Sequence, residues 1–193
     1  MLSVLAGIMI ALGGTVYLSV SGIPGAFLFS IGLLAVLAFK FELLTGKAGL
    51  LATNEIKPIK IIDIWGGNFI GTALIAMLLF YTPVGEEMGT KAAQIIAVRV
   101  ENGFAINLIY GIMCGILMYI AVTAYGMTNN NPLYAILPVM IFILCGFNHC
   151  VADMFYINIG CVDISDYLVL IPTTIGNIVG CNVVPLLLKT KRG

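Results

Sequence analysis

Two long apolar segments of the chain carry polar side chains at mid-depth. One contains Lys40-Phe41-Glu42-Leu43-Leu44-Thr45-Gly46, and the other contains Gly146-Phe147-Asn148-His149-Cys150 followed by Asp153. Ionisable side chains inside a membrane are costly, and by default they mark ion paths or proton relays. The residue types therefore indicate ion binding and proton exchange rather than covalent catalysis.

The same two segments are predicted to be broken helices. Non-helical backbone at membrane depth is tolerated only where protein or a water-filled cavity surrounds it. The N-terminus of a half-helix inside the bilayer carries partial positive charge, which favours an anion. A break in each segment would therefore create an anion-binding region near the middle of the membrane.

The composition agrees with a membrane location. Of the 193 residues, 61% are hydrophobic and 9% are charged, and the mean hydropathy is +1.10. An ordinary soluble domain is about 45–50% apolar and about 25% charged. These values exclude a soluble globular enzyme, a disordered chain and a nucleic-acid binder, and the net charge of zero offers no polybasic surface.

The sequence predicts no cofactor and no metal site. The single His excludes a haem held by two histidines, and the five Cys show neither CxxC nor paired metal-ligand spacing. No nucleophile–base arrangement or phosphate-binding loop is present, so an enzyme is not expected.

Six apolar runs are long enough to cross a membrane, which needs about 20 residues each. They are Met1–Val20, Ala26–Thr53, Ile61–Tyr81, Phe104–Tyr125, Leu133–Ile157 and Asp166–Leu188. The connections are predicted to be loops, the longest being Thr82–Gly103. The first run lacks a basic start and a clear cleavage site, so it is expected to be retained. The chain is predicted to be a single transmembrane domain, 1–193.

The positive charges predict the orientation. If the N-terminus is cytoplasmic, the inner side carries most of the Lys and Arg, which favours this arrangement. The inner residues are Lys47, Lys57, Lys60, Lys189, Lys191 and Arg192, and the outer residues are Lys91 and Arg99. Both termini are therefore expected in the cytoplasm of a multi-pass protein of the plasma (inner) membrane.

The two halves of the chain share a pattern. Gly67-Asn68 and Gly176-Asn177 both open a G-N-x-x-G motif, 109 residues apart, and Phe41-Glu42 precedes Phe147-Asn148 by 106 residues. We predict two three-helix repeats, about 1–81 and 97–190, in opposite orientations, an architecture of transporters and channels. The glycines are expected to allow close helix packing, and the asparagines to bond neighbouring backbone.

Several motifs together resemble the formate/nitrite transporter family. Gly146-Phe147-Asn148-His149 followed by Ala152-Asp153-Met154-Phe155 is similar to the family's G-F-E-H and A-N-M-F signature. Glu42-Leu43-Leu44-Thr45-Gly46 resembles its acidic–Leu–Phe–Thr loop. The motifs Trp65-Gly66-Gly67-Asn68 and Thr174-Ile175-Gly176-Asn177 also fit, in the right order.

The resemblance implies an aquaporin-like, all-α fold of six helices. It also implies a homopentamer with one pore per protomer in the lipid bilayer, and transport of small monovalent anions such as formate, nitrite or hydrosulfide, with protons. His149 would be the central pore residue, accompanied by Thr45 and Asn148. Phe142 and Leu33 would form the cytoplasmic-side constriction, with Leu43, Leu44 and Phe29 also narrowing the pore. Arg99, and with less support Lys40, would attract the anion.

The sequence also departs from the family pattern. Asn148 replaces the usual Glu, Asp153 the usual Asn and Leu44 an aromatic residue, while Gly115 stands where a pore Asn is common and Lys40 where a small residue is expected. These changes leave the specific substrate open.

Simpler structural roles are possible for the charged residues. Arg99 could reach the membrane interface and pair with Glu86 or Glu101. A broken helix could pair Lys40 with Glu42. Asp153 follows His149 by four residues and could hold its ring.

Two other functions remain open from the residues alone. A neutral small-solute pore of the aquaporin type would share the fold, although the sequence has no Asn-Pro-Ala box. A membrane anchor for a redox or signalling complex would need cofactor ligands or a docking domain, which the single His and short loops do not favour.

Overall fold

The structure, a computed structural model, describes residues 1–190, without the side chains of 189 and 190. All regular structure in this range is helical. The α-helices are α1 (Leu2–Val20), α2 (Gly22–Ala38), α3 (Leu44–Ala48), α4 (Pro58–Phe80), α5 (Pro83–Met127), α6 (Leu133–Leu144), α7 (Cys150–Gly160) and α8 (Leu170–Thr190), with 3₁₀ turns at Gly49–Leu51 and Ile164–Val169. Of the predicted inner charges, Lys191 and Arg192 lie outside the described residues, as does the side chain of Lys189.

Both predicted broken helices are confirmed. A non-helical stretch at 39–43 separates α2 from α3, and another at 145–149 separates α6 from α7. Both stretches are therefore places where backbone groups need partners outside a regular helix.

Four helical stretches are long and apolar enough to cross a membrane by themselves. They are Leu2–Val20, Pro58–Phe80, Pro83–Met127 and Ile164–Leu188. The other two predicted spans correspond to the broken pairs α2–α3 and α6–α7.

The prediction of a long loop over Thr82–Gly103 is wrong. This stretch is the first part of α5, with Pro83 in its first turn and Gly103, at φ 67°, dividing α5 in two. Met88, Ala92, Ile96 and Arg99 are buried at helical spacing. This buried stripe explains the helix, because tertiary packing rather than overall apolarity decides the conformation of such a segment.

Two smaller boundaries also differ from the prediction. Ser21 and Gly22, at φ 57° and 60°, turn the chain between α1 and α2, and the expected loop Ser21–Gly25 is mostly helix. α4 begins at Pro58 rather than Ile61, because proline is well suited to the first turn of a helix.

The G-N-x-x-G motifs lie where helices approach most closely. A Cβ added to Gly71 would lie 3.0 Å from the Cα of Gly7, and one added to Gly176 would lie 2.9 Å from the Cα of Gly111. Helix α1 therefore packs backbone-to-backbone on α4, and α5 on α8. This agrees with the expected packing role of the glycines.

Candidate functional site between two broken helices

Asn68 and Asn177 hold the two breaks in place. Asn68 Oδ1 accepts from Leu44 N at 2.9 Å, and its Nδ2 donates to the carbonyls of Ser3 and Glu42 at 2.8 and 2.9 Å. The bonds to Leu44 N and Glu42 O satisfy backbone groups that the break leaves without a helical partner, and the bond to Ser3 O ties the break to α1. This matches the expectation that the asparagines bond neighbouring backbone.

Asn177 makes the corresponding bonds in the second half. Its Oδ1 accepts from Cys150 N at 2.9 Å, and its Nδ2 donates to the carbonyls of Gly111 and Asn148 at 2.9 and 2.8 Å. The partners Glu42 and Asn148, and Leu44 and Cys150, are each 106 residues apart. These matched contacts support the predicted repeats, which stay a prediction.

His149 and Thr45 meet between the breaks. His149 Nε2 lies 3.0 Å from Thr45 Oγ1, although the residues are 104 apart in sequence. His149 Nδ1 accepts from Ala152 N at 3.2 Å, so this nitrogen caps α7. In the neutral ring the proton therefore belongs to Nε2, which donates to Thr45. The remaining Thr45 hydroxyl proton is free to point to a solute.

Aromatic and leucine side chains surround this pair. The Phe142 ring stacks on the His149 ring with centroids 5.5 Å apart, and Phe29 meets Phe142 edge-on at 6.0 Å. Leu33, Leu43 and Leu44 are all buried. The predicted constriction residues therefore lie in the packed interior, as a water-excluding barrier requires.

Two cavities reach the central pair. The first, which we call the Arg99 cavity, has a volume of about 200 Å³ and is lined by Tyr17, Arg99, Phe142, Phe147, His149 and Tyr156, among others. The second, the Glu55 cavity, has a volume of about 160 Å³ and is lined by Thr45, Thr53, Glu55, Tyr119 and Thr123, among others. Because His149 lines one cavity and Thr45 the other, their hydrogen bond lies at the barrier between them.

The predicted position of Phe142, on the cytoplasmic side of His149, needs correction. Phe142 lines the Arg99 cavity together with Tyr17, near the end of α1, whereas Glu55 belongs to the opposite end of the molecule. The predicted orientation places Glu55 in the cytoplasm. Phe142 then lies on the outer side of His149, and its assignment to the cytoplasmic constriction was wrong for that orientation.

Arg99 is not an interfacial residue paired with Glu86 or Glu101. Its side chain is 11% exposed, and its Nε lies 2.9 Å from Oδ1 of Asp153, which is fully buried. A guanidinium N–H of Arg99 also donates to Asn148 Oδ1. Asp153 therefore pairs with Arg99 rather than with the His149 ring, which is held by Ala152 and Thr45.

Asn148 lies behind the cavity wall. Its Nδ2 donates to Asn107 Oδ1 at 2.7 Å and lies 3.4 Å from Thr173 Oγ1. The residue is completely buried. Its side chain therefore supports Arg99 instead of lining the Arg99 cavity.

Lys40 is not part of this arrangement. It is exposed in the first break, at φ 55°, and it does not line the Arg99 cavity or the Glu55 cavity. Its expected partner Glu42 instead lies 3.3 Å from Lys60 Nζ. The structure therefore does not bring Lys40 to the central pair.

Three residues that line the Arg99 cavity or the cavity beside it were not predicted from the sequence. Tyr17 and Tyr156 line the Arg99 cavity, and Lys91 lines an adjoining cavity of about 370 Å³. Lys91 Nζ donates to Leu18 O at 2.9 Å and pairs with Glu87 at 2.8 Å. The spacing of Lys91, Ile95 and Arg99 was the available signal, but the segment was taken as a loop.

Within residues 1–190 the structure shows no group of three His, Cys, Asp or Glu side chains placed to hold a metal ion. The cavities offer the cation of Arg99 and hydrogen-bonding groups at His149 and Thr45.

Comparison with known proteins identifies the family. The model of the formate/nitrite transporter family matches residues 1–190. The chain belongs to the formate/nitrite transporter family. This membership places it among transporters rather than enzymes, and the apolar helices make it an integral membrane protein.

Individual relatives agree with this assignment. The chain is 29% identical to the formate channel FocA of Haemophilus influenzae, over 81% of this chain and 69% of that protein. It is 30% identical to the uncharacterized transporter YrhG of Bacillus subtilis, over 84% of this chain and 68% of that one.

Solved structures of the formate/nitrite transporter type share the fold. A pentameric formate channel with formate bound superposes with a TM-score of 0.86 at 23% identity, covering 100% of this chain and 95% of that one. An ion channel of the same family gives 0.85 at 20% identity, covering 99% and 88%. The predicted all-helical membrane fold is thus confirmed.

Proposed function

We propose that this protein transports formate-type monovalent anions, with nitrite and hydrosulfide as further candidates, and couples their passage to a proton through His149. The observation that carries the proposal is the His149–Thr45 hydrogen bond at the barrier between two cavities. The formate channels among its relatives support the choice of substrate class.

The energetics favour passage as the neutral acid. Idealised transfer of a bare monovalent ion into a dry interior costs on the order of 20 kcal/mol. Protonating a carboxylate whose pKa is about 3.9 costs roughly 4 kcal/mol at pH 7. An anion that receives a proton at the barrier would therefore pass Phe142 and the leucines far more easily than an ion.

The residues can be given roles on this basis. Arg99 attracts the anion into its cavity, with Lys91 at the entrance. His149 donates from Nε2, and Thr45 supplies its hydroxyl to the solute. Phe29, Phe142, Leu33, Leu43 and Leu44 exclude water. The exposed position of Lys40 gives its predicted role as an attractor no support.

The assembly and the orientation belong to the same proposal. We expect a homopentamer in the plasma membrane, with one pore in each protomer and both termini in the cytoplasm. The fold shared with a pentameric channel supports this arrangement.

The test is flux in proteoliposomes as a function of pH. Formate, nitrite, hydrosulfide and lactate are compared with chloride and glycerol, for the wild type and His149→Phe. Gly66→Ala serves as the reconstitution control, because a Cβ at Gly66 meets nothing within 4 Å.

We expect weak-acid anion flux that rises as the external pH falls and is lost in His149→Phe but not in the control. Normal conduction by His149→Phe would contradict proton coupling through this residue. Glycerol flux equal to anion flux would favour the neutral-solute pore instead.

A further inference from the structure

The ion pair between Arg99 and Asp153 lies at the wall of the Arg99 cavity. Arg99 lines the cavity, whereas Asp153 does not line it and is fully buried, with Oδ1 2.9 Å from Arg99 Nε. Oδ2 of Asp153 has no hydrogen-bond partner among the described residues. One oxygen of this carboxylate is therefore available to hold a proton.

An anion in the Arg99 cavity would compete with Asp153. The pair is neutral by itself, so an anion beside Arg99 places two negative charges on one guanidinium in a largely buried cluster. A buried charge without full compensation costs several kcal/mol. Protonation of Asp153 removes this excess, because a carboxylic acid needs no counter-charge and can donate a hydrogen bond.

The other titratable groups around Asp153 do not supply the missing charge. Cys114 on α5 and Cys150 and Tyr156 on α7 are close enough to interact with it electrostatically. Cys181 on α8 and Tyr17 on α1 lie in the next layer. All five are thiols or phenols that are neutral in their protonated forms.

The charged groups of α4 and the imidazole of His149 are engaged with other partners. The titratable residues of α4, Lys60 and Asp63, form ion pairs with each other, and Lys60 also pairs with Glu42. His149 donates towards Thr45 and accepts from Ala152. Arg99 is therefore the charge that both Asp153 and an entering anion share.

We propose that Asp153 is a second proton-binding site, which takes up one proton when an anion binds beside Arg99 and releases it when the anion leaves. The proton comes from hydronium, which remains as water, and the anion replaces Asp153 as the counter-ion of Arg99. The inference rests on the proposed anion transport, but it assigns binding-linked proton uptake to Asp153 rather than to His149.

The experiment measures proton uptake on anion binding. Sodium formate is added to the purified full-length protein in detergent, in weakly buffered solution with a pH indicator, and formate binding is measured by calorimetry. The variants are Asp153→Asn and Asp153→Glu, with the exposed Asp163→Asn as the matched control.

We expect the wild type, Asp153→Glu and Asp163→Asn to approach one proton per bound formate. Asp153→Asn should bind formate with no proton uptake. If Asp153→Asn binds formate and takes up protons like the wild type, the assignment to Asp153 is overturned while anion transport stands. Absence of formate binding in the wild type would overturn both proposals.

A second measurement does not depend on the stability of any variant. Infrared difference spectra of the wild-type protein, labelled at its aspartate carboxyl carbons, should gain a carboxylic-acid band on formate addition, and the label should shift that band. Absence of the band under conditions of demonstrated formate binding would contradict the proposal.

Discussion

A few buried polar side chains set the properties of the barrier. His149 is oriented by two contacts of different kinds: a backbone N–H fixes Nδ1 as acceptor, and Thr45 receives Nε2–H. Adding a proton at Nδ1 would break the cap on α7. Transfer of the Nε2 proton to a solute therefore requires that Nδ1 takes up a proton from solution and that the cap opens for that step, because a neutral ring that lost Nε2–H would be left as an imidazolate.

Thr45→Val should lower anion flux, whereas Thr45→Ser should retain it. Valine has a similar shape but cannot accept from His149 or donate to a solute. Leaving the imidazole N–H unpaired costs about 1–3 kcal/mol, so a fall of at least about fivefold is expected in initial flux in proteoliposomes. Equal flux in the two variants would show that the hydroxyl has no role.

Asn177→Ala should destabilise the protein. It removes three hydrogen bonds to backbone groups, two at the second break and one to Gly111 on α5. With net contributions of about 1 kcal/mol each, the unfolding temperature should fall by roughly 6–12 °C in detergent.

The control for this change is Asn131→Ala. Asn131 is exposed and makes one side-chain hydrogen bond, to Leu133 N. Its melting temperature should stay close to that of the wild type. Similar melting of the two variants would mean that Asn177 does not stabilise the break.

The helices position these residues through close backbone contacts. Glycines let α1 approach α4 and let α5 approach α8, and the asparagines next to them then reach the breaks. Each motif thus combines a packing position with an amide that bonds a half-helix. The close packing of the helices and the hydrogen bonds at the two breaks therefore depend on each other.

Gly176→Ala and Gly66→Ala should differ although both add one methyl group within a helix. At Gly176 the new Cβ would lie 2.9 Å from the Gly111 Cα, and at Gly66 it would meet nothing within 4 Å. Overpacking costs about 1–3 kcal/mol, whereas Ala in place of Gly favours an open helix position by up to about 1 kcal/mol.

Thermal unfolding in detergent tests this pair. Gly176→Ala should melt below the wild type, and Gly66→Ala should melt at or above it. Equal stability of the two variants would contradict the close packing of α5 on α8.

At the scale of the whole molecule, a thin barrier separates two cavities. The Arg99 cavity and the Glu55 cavity approach from opposite ends, with the central pair between them. Which cavity faces the cytoplasm depends on the orientation of the protein in the membrane. The accessibility of native cysteines to a labelling reagent can report this orientation. Cys145 and Cys161 are exposed, whereas Cys114, Cys150 and Cys181 are buried.

In intact cells, a membrane-impermeant maleimide should label Cys161 in a Cys145→Ser background. Cys161 follows α7 at the end of the molecule predicted to face outward. Adding Asn130→Cys to this background provides the inner control, since Asn130 is exposed in the loop after α5 and should react only after permeabilisation. The reverse pattern would show the opposite orientation.

Much of this arrangement could be predicted from the sequence. The apolar runs predicted the membrane, and the polar residues within two of them predicted the breaks, because polar backbone and side chains at that depth need special surroundings. The motif around His149, together with Thr45, selected two residues that the structure places 3.0 Å apart, and their role in transport stays a prediction.

Only the tertiary structure decided the partners of the charged residues and the environment of residues 83–102. Arg99 pairs with Asp153, and Glu42 with Lys60, because helix packing brings together residues from different segments. The first part of α5 is helical because its buried stripe packs inside the molecule, although its polar outer face resembles a loop. Apolarity is a property of each segment and can be read locally, whereas the pairing of buried charges depends on which helices become neighbours.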